Sequence, residues 1–237
     1  MDDPSGAFHR LLQLPGPPPT LEDRIALQAA HHSIDATALP EADRQEAVVD
    51  FYASKWPGFA LVGEQRNDPI DLVPYDPIWP IRFVSWRDRF REALGDTARV
   101  IEHVGSTAVP GLSSKAIIDI QVSVGDLEAE DAYIDAIQRQ GLSLRSRDTE
   151  HRYFRAPPAL PRDVHVHVCQ VGGRWEHDHL LFRDYLRAHD AVRDEYGELK
   201  ERLATHHRWD RLAYTEAKND FIAGVMVDAN TWRQSTA

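Results

Sequence analysis

The amino-acid sequence predicts an α+β domain, a mixed β-sheet flanked by helices, with a helical extension at its N-terminus. Short segments that alternate apolar and polar residues, typical of strands, lie at residues 100–104, 116–124 and 163–169. Periodic apolar segments between them are typical of helices, and from residue 179 onward the pattern is helical. Strands mixed with helices and followed by a helical tail indicate this fold class.

Composition limits the kinds of protein that the chain can be. It has 237 residues, a formal net charge of −11 and one cysteine, Cys169, so an intrachain disulfide is excluded. No apolar run approaches the roughly 20 residues that span a bilayer, and the first residues lack a secretory-signal pattern. The negative charge opposes general binding to phosphate backbones. We therefore expect a soluble, cytoplasmic protein that binds neither membranes nor nucleic acids, with its oligomeric state open.

Residues 1–69 are predicted to be an accessory helical segment rather than a separate domain. The proline-rich stretch at residues 15–19 cannot lie inside a helix. Apolar residues at 21–27 and again at 47–52 predict two helices. The first 40 positions hold few large apolar residues, so this segment cannot build a core of its own.

The main domain, residues 70–237, begins with a helix and two strands. Asp76 and Pro77 are typical of a helix start, and Gly95 is typical of a helix end. Strands are predicted at residues 100–104 and 116–124. In the second strand, aliphatic residues alternate with polar ones, which places Asp119 and the other polar residues on the face opposite the core.

The later elements follow the same logic. A helix is predicted over residues 127–140, ended by Gly141. Further strands are predicted at residues 142–147, 151–155 and 163–169, and the last of these turns its three valines toward the core. Helices are then predicted at residues 179–189, 191–206 and 214–227.

A Gly-Ser turn at the end of the first long strand is a candidate phosphate-binding loop. Gly105 permits a tight turn, so that backbone N–H groups and the Ser106 hydroxyl can face phosphate oxygens. Asp119 on the next strand is placed to hold Mg²⁺ against such a phosphate. Lys115 lies between them in the sequence, and Arg152 on a later strand is a further candidate cation for ligand binding. An ordinary strand-to-loop turn is the alternative that these residues alone leave open.

His165 and His167 form a second candidate site. Residues two apart on a strand share one face, so both imidazoles can bind one metal ion. Imidazole favours Zn²⁺, Fe²⁺ or Ni²⁺ over Mg²⁺. The alternatives are a metal-free role in substrate contact or proton transfer, and a purely structural role. We expect both histidines to face the same cleft as Asp119.

Several segments in series resemble the GrpB family, and together they cover residues 70–227, about two-thirds of the chain. The segments that carry the resemblance are residues 103–112, 115–119, the His-Val-His strand at 165–167, 182–189, 196–200 and 214–218. The family is similar to the nucleotidyltransferase superfamily, whose fold is a mixed sheet flanked by helices. The resemblance implies that Gly105 and Ser106 form the turn that grips a nucleoside triphosphate. It also implies that Asp119 is the first of the paired carboxylates that bind a divalent metal.

One position departs from the superfamily pattern. The second carboxylate is expected two residues after Asp119, where this chain has Gln121. A neutral amide is a weaker Mg²⁺ ligand than a carboxylate, so the usual two-metal arrangement is in question.

Three hypotheses about function follow. The leading one is a nucleotidyltransferase-like enzyme that binds a nucleoside triphosphate with a divalent metal, Mg²⁺ or a transition metal, and acts on a small-molecule acceptor. The second is an enzyme of different chemistry on the same fold, a cyclase, lyase or isomerase that uses His165 and His167 as metal ligands or as an acid–base pair. The third is a non-catalytic domain that binds a ligand or a partner protein.

Overall fold

The computed structural model describes residues 58–62, 68–157, 160 and 162–236. Within them, six strands form one mixed sheet in the order β1-β4-β5-β6-β3-β2. The strands are β1 (Ala60–Leu61), β2 (Ala98–Val104), β3 (Ile118–Val124), β4 (Ser143–Arg147), β5 (His151–Arg155) and β6 (Val164–Gln170). Neighbouring strands are antiparallel, with one exception: β3 and β6 are parallel.

Helices flank this sheet and follow it in the chain. They are α1 (Ile78–Leu94), α2 (Ile134–Gln138), α3 (Arg174–Ala188), α4 (Asp190–His206), α5 (Arg211–Glu216) and α6 (Asn219–Thr236). A mixed sheet with flanking helices is the fold class predicted from the sequence, so that prediction is confirmed. None of the helices in the described part of the chain is long and apolar enough to cross a bilayer. The helices predicted at residues 21–27 and 47–52 lie outside the described residues, and the accessory segment stays a prediction.

The core lies on one face of β3 and β6, as the alternation in the sequence predicts. Ile118, Ile120 and Val122 of β3 are fully buried, and so are Val166 and Val168 of β6. Trp79 and Phe90 of α1 pack against this face. Successive side chains of a strand point to opposite sides, so the polar residues between these aliphatic ones lie together on the other face.

Three helices predicted from the sequence differ from those of the structure. The helix expected from residue 179 begins earlier, since α3 begins at Arg174. The helix expected over residues 127–140 is reduced to a 3₁₀ turn and the short α2, because Tyr133 leaves the helical conformation with φ of −138°. Its buried ring donates its hydroxyl hydrogen to the Leu127 carbonyl. The tail helix expected from residue 214 is also interrupted, with α5 ending at Glu216 and α6 beginning at Asn219.

The strand registers bring the candidate site residues together. In the parallel pair, Asp119 lies opposite His165, and Gln121 lies opposite His167. In the antiparallel pair, Val104 lies opposite Asp119, so the Gly-Ser turn that follows β2 begins beside that carboxylate. The site therefore forms where β2 ends and where β3 and β6 begin.

Candidate functional site

Asp119, His165 and His167 form a compact group on the polar face of β3 and β6, which we call the cavity cluster. One ligand atom from each residue lies within 4.8 Å of the others, a spacing that suits a shared metal ion. The Nδ1 atom of His165 lies 3.0 Å from Oδ1 of Asp119, and Nε2 of His167 lies 3.5 Å from the same oxygen. Burial raises the pKa of Asp119, but its contacts with both imidazoles outweigh this effect and leave the pKa well below its usual range. The carboxylate is therefore ionised.

The Gly-Ser turn packs directly on this carboxylate. Gly105 has φ of +69°, and a β-carbon added there would overlap the Asp119 carboxylate. Glycine is required both for the backbone conformation and for this close approach. Ser106 follows at the start of a 3₁₀ turn, and its hydroxyl oxygen accepts a hydrogen bond of 3.0 Å from Lys200 Nζ.

Arg162 determines which nitrogen of His165 carries the proton. The Nε–H of Arg162 donates to Nε2 of His165 at 2.8 Å, and a guanidinium nitrogen cannot accept. His165 therefore carries its proton on Nδ1 and donates it to Asp119. Burial lowers the pKa of His165 to about 3, although Asp119 acts in the opposite direction. A neutral His165 that orients the carboxylate follows from these contacts.

His167 has a second imidazole behind it. Its Nδ1 atom lies 2.9 Å from Nε2 of His151, and Nδ1 of His151 lies 3.4 Å from Oδ2 of Asp148. Burial lowers the pKa of His151 to about 4, with Asp148 acting in the opposite direction. The indole of Trp175 stacks on both imidazoles, at centroid distances of 5.1 Å and 5.3 Å. The two rings are therefore held in place from several sides.

Three lysines lie near the cavity cluster. Burial, then the nearby Arg211 and Lys218, lowers the pKa of Lys115 to about 7. Burial, then Lys218 and Lys115, lowers the pKa of Lys200 to about 7, and burial lowers that of Lys218 to about 8. No carboxylate of the described residues lies within ion-pair distance of any of the three. Lys115 and Lys218 instead face the ring of Tyr214, and Lys200 faces the ring of Tyr196. Like charges gathered without carboxylate partners favour the binding of an anion.

These groups line one cavity of about 230 Å³. The lining residues that bear on chemistry are Gly105, Ser106, Lys115, Asp119, His165, Lys200 and Lys218. The structure thus brings Gly105, Ser106, Lys115 and Asp119, all singled out from the sequence, into one space. His167 adjoins it through its contact with Asp119.

Arg152, also singled out from the sequence as a ligand-binding cation, lies elsewhere. Its guanidinium is buried and forms ion pairs of 2.8 Å with Glu128 and 2.5 Å with Glu130. The pleat of β5 explains this placement, because Arg152 shares the core face with Phe154 while His151 and Tyr153 face the cavity cluster. The strand β5 thus contributes His151 and Tyr153 to the site, and Arg152 is not among the lining residues of the cavity.

Gln121 belongs to a neighbouring set of buried polar groups, which we call the Ser123 cluster. Its amide Nε2 donates to Ser123 Oγ at 3.1 Å, and Ser123 in turn donates to Glu176 Oε1 at 2.7 Å. Cys169 Sγ completes the cluster at 3.6 Å from Ser123 Oγ. Gln121 is fully buried and does not line the cavity. The cavity therefore has one carboxylate, Asp119, among the described residues.

Sequence reasoning missed Lys200 as a site residue and mentioned His151 only within a strand. A signal for Lys200 was present, since Tyr196 and Lys200 lie four residues apart on one helix, as do Tyr214 and Lys218 in the next segment. No comparable signal marks His151, because its position depends on the pairing of β5 with β6.

Comparison with known proteins gives the family. A model of the GrpB protein family matches residues 69–227. The chain belongs to the GrpB family. This GrpB protein is 40% identical over 174 residues to a UPF0157 protein of Streptomyces coelicolor, covering 73% of this chain and 91% of the relative. It is also 40% identical over 175 residues to a UPF0157 protein of Halalkalibacterium halodurans, covering 71% and 88%. The crystal structure of the conserved protein GrpB from Enterococcus faecalis is similar, with a TM-score of 0.61 and 32% identity over 68% of this chain and 99% of that one.

Proposed function

We propose that this GrpB protein is a nucleotidyltransferase-like enzyme, which binds a nucleoside triphosphate together with a divalent metal and acts on a small-molecule acceptor. The observation that carries the proposal is one cavity that combines a carboxylate and an imidazole with three lysines. Asp119 and His165 line it together with Lys115, Lys200 and Lys218, and His167 adjoins it through its contact with Asp119. A metal–phosphate complex needs both kinds of group, a carboxylate for the metal ion and cations for the phosphate oxygens.

The donor atoms of the cavity cluster fit a divalent metal. A carboxylate oxygen and an imidazole nitrogen 3.5 Å apart are ligands that Mn²⁺ or Zn²⁺ accepts, whereas Mg²⁺ prefers oxygen alone. Arg162 keeps His165 as a donor to Asp119, so we assign the protein ligands to Asp119 and His167 and give His165 the role of orienting the carboxylate. When bound, the metal would neutralise charge on phosphate oxygens and activate the phosphorus centre.

The Gly-Ser turn and the three lysines would hold the phosphate groups. The backbone at Gly105 and the Ser106 hydroxyl lie next to Asp119, and Lys200 already contacts Ser106. A cavity of about 230 Å³ suits phosphate groups rather than a whole nucleotide. A second and more open cavity of about 540 Å³ shares Leu72 with the first, and it offers space for the nucleoside or the acceptor.

A specific observation favours a second candidate function. Gln121 lies in the Ser123 cluster, away from the cavity, so the second carboxylate of the usual nucleotidyltransferase site has no counterpart there. One metal and two neutral imidazoles also suit a cyclase, lyase or isomerase that moves a proton on a phosphorylated substrate. This enzyme would use the same lysines for its phosphate group.

Binding and product analysis test the proposal. Calorimetry with ATP, GTP, CTP and UTP, each with Mg²⁺, Mn²⁺ or Zn²⁺, should show metal-dependent binding by the wild-type protein. Asp119→Asn should weaken that binding by at least about 10-fold, and Ser106→Ala should weaken it less. Asp163→Asn, a change of the same kind at an exposed position just before β6, should leave it unchanged.

The products then separate the two functions. Release of pyrophosphate, followed by phosphorus NMR in the presence of candidate acceptors, supports nucleotidyl transfer. Metal-dependent turnover of phosphorylated metabolites other than nucleotides supports the second candidate. Equal nucleotide affinity in the wild type and in the Asp119 and Ser106 variants, with and without metal, would contradict the leading proposal.

A further inference from the structure

Four side chains form an unbroken series of contacts that runs from the end of β4 to the cavity. Asp148 contacts His151, His151 contacts His167, and His167 contacts Asp119. The three distances, in that order, are 3.4 Å, 2.9 Å and 3.5 Å. Two carboxylates therefore enclose two imidazoles in a single row.

Counting protons shows that this row cannot be satisfied by neutral rings alone. Each neutral imidazole has one N–H and one lone pair, and an ionised carboxylate can only accept. The row has three contacts, whereas two neutral rings provide two hydrogens. One contact therefore joins two acceptors and needs a cation, either a third proton or a metal ion.

The geometry points to the contact between His167 and Asp119 as the one without a hydrogen. The contact between the two rings, at 2.9 Å, has the length of a hydrogen bond and needs a proton between its nitrogens. Of the two end contacts, the one at Asp148 is more buried: the side chain of Asp148 is 5% exposed and that of Asp119 is 28% exposed. A buried acceptor requires its hydrogen bond more than an exposed one does.

The partners of the two carboxylates lead to the same assignment. Oδ1 of Asp119 already accepts a hydrogen bond from His165. Oδ1 of Asp148 accepts from the backbone N–H of Glu150, which leaves Oδ2 for His151. Asp148 thus needs the His151 proton, whereas Asp119 does not need one from His167.

We propose that Asp148, acting through His151, fixes the tautomer of His167 so that its Nε2 lone pair faces Asp119 in the cavity. His151 donates from Nδ1 to Asp148 and accepts at Nε2 from Nδ1–H of His167. Asp148 and His151 are then positioning residues, which turn His167 into a ligand for a divalent cation beside Asp119. The proposal rests on the proposed function in assigning that cation, but the tautomer itself is a property of the metal-free protein.

The variant Asp148→Asn tests the direction in which hydrogen bonds are donated along the row, with little change in side-chain shape. The Asn oxygen can keep the hydrogen bond from Glu150 N–H, which turns the amide NH₂ toward His151 Nδ1. That nitrogen must then accept, and each hydrogen in the row shifts by one contact. We expect His167 to carry its proton on Nε2 and to donate it to Asp119, which removes the lone pair from the metal position.

His151→Gln provides a conservative variant that keeps the original direction. Its NH₂ can donate to Asp148 while its oxygen accepts from His167, as the two nitrogens of His151 do. We expect His151→Gln to retain the wild-type tautomer, and His151→Ala to lose the control of it. Asp178→Asn is the matched control, because Asp178 contacts His177 at 3.1 Å in a similar pair at the surface.

Two measurements test these expectations, one of the His167 tautomer and one of metal affinity. Nitrogen-15 NMR of histidine-labelled, metal-free protein at about pH 8 should show His167 protonated on Nδ1 in the wild type, His151→Gln and Asp178→Asn. It should show protonation on Nε2 in Asp148→Asn. Calorimetry with Mn²⁺ or Zn²⁺ alone should show affinity at least about 10-fold weaker in Asp148→Asn and His151→Ala, and within about threefold of wild type in the other two variants.

Each result supports or overturns the inference. The same His167 tautomer in the wild type and Asp148→Asn would overturn it, and so would protonation of both nitrogens in the wild type at that pH. If the tautomers behave as expected but the wild type binds neither metal, the inference stands and the assigned metal, with it the proposed function, fails. If the wild type binds metal and all variants bind it equally, His167 is not a ligand, so the role of Asp148 and His151 in positioning a ligand fails while the proposed function stands.

Discussion

The polar face of β3 and β6 carries two neighbouring clusters that differ in how their hydrogen bonds are completed. In the Ser123 cluster, the donors meet acceptors within the protein: Gln121 donates to Ser123, and Ser123 donates to Glu176. The Oε1 atom of Gln121 is the exception, since it has no hydrogen-bond partner among the described residues. Glu176 also accepts from the backbone N–H of Gly172. In the cavity cluster, by contrast, a carboxylate and an imidazole lone pair face each other at Asp119 and His167. Three lysines line the same cavity without carboxylate partners among the described residues.

This difference separates groups that stabilise the fold from groups that we propose bind a ligand. Burial of polar groups that satisfy one another contributes to stability, whereas charges gathered without partners lower it. Burial also raises the pKa of the Cys169 thiol to about 12, although Ser123 acts in the opposite direction, and this disfavours the reactive thiolate form. The two clusters begin only two residues apart, at Asp119 and Gln121, so a single strand contributes to both.

The largest expected effect comes from Gln121→Glu, which places a second carboxylate where the superfamily pattern has one. The new charge would be fully buried beside Ser123 and Glu176, and even the present amide oxygen of Gln121 has no hydrogen-bond partner among the described residues. An unpaired buried charge costs about 3–5 kcal/mol. We expect the free energy of unfolding in urea to fall by about that amount, with no gain in metal affinity.

Gln138→Glu, at an exposed position of α2, is the control for this change and should leave stability unaltered within about 0.5 kcal/mol. A stable Gln121→Glu protein that binds Mn²⁺ or Mg²⁺ more tightly than the wild type would remove the distinction between the clusters. It would show that position 121 belongs to the metal site.

How far the sequence predicts this face depends on the range of the interactions involved. Alternation along a strand is local, and it correctly turned the aliphatic residues of β3 and β6 toward the core and Asp119, His165 and His167 to the other side. It does not say which strands are neighbours. The parallel pairing of Asp119 with His165 spans 46 positions, and no local pattern in the sequence predicts it.

Contributions from distant segments were harder to predict. His151 reaches the cavity cluster because β5 pairs with β6. The sequence predicts Arg152 as the site residue of this strand, but Arg152 is the next residue along and lies on the opposite face. Lys200 comes from a helix on which its spacing from Tyr196 is the one signal that marks it. Proton positions were out of reach altogether, because they depend on Arg162, Asp148 and the distances between rings.

Lys200→Met should have a smaller effect than Gln121→Glu, and it should lower ligand affinity rather than stability. A hydrogen-bonded, charge-assisted contact contributes about 1.5–3 kcal/mol, so nucleotide or phosphate affinity should fall about 10- to 100-fold. The stability of the ligand-free protein should stay within about 1 kcal/mol of wild type, because a buried cation is removed from beside Lys115 and Lys218. Arg202→Met, at an exposed position on the same helix, is the control. Unchanged affinity in Lys200→Met would separate this lysine from the ligand site.

The smallest expected effect is the pH dependence of anion binding in the wild-type protein. The pKa values of Lys115 and Lys200 are lowered to about 7 and that of Lys218 to about 8, so these lysines lose protons in the free protein as pH rises from 7 to 9. Phosphate groups bind the protonated ammonium form, and we expect triphosphate affinity, measured by calorimetry, to fall about 10-fold across that range.

The stability of the ligand-free protein should change in the opposite direction over the same pH range. An unfolded chain keeps its lysines protonated up to about pH 10.4, so between pH 7 and 10 it binds more protons than the folded protein does. Stability therefore rises with pH in this window, and the gain is lost as pH falls through about 7. The exposed Arg202→Met control should show both trends, whereas Lys200→Met should reduce both. Triphosphate affinity that is constant between pH 7 and 9, with stability also constant, would show that these lysines are not the anion site.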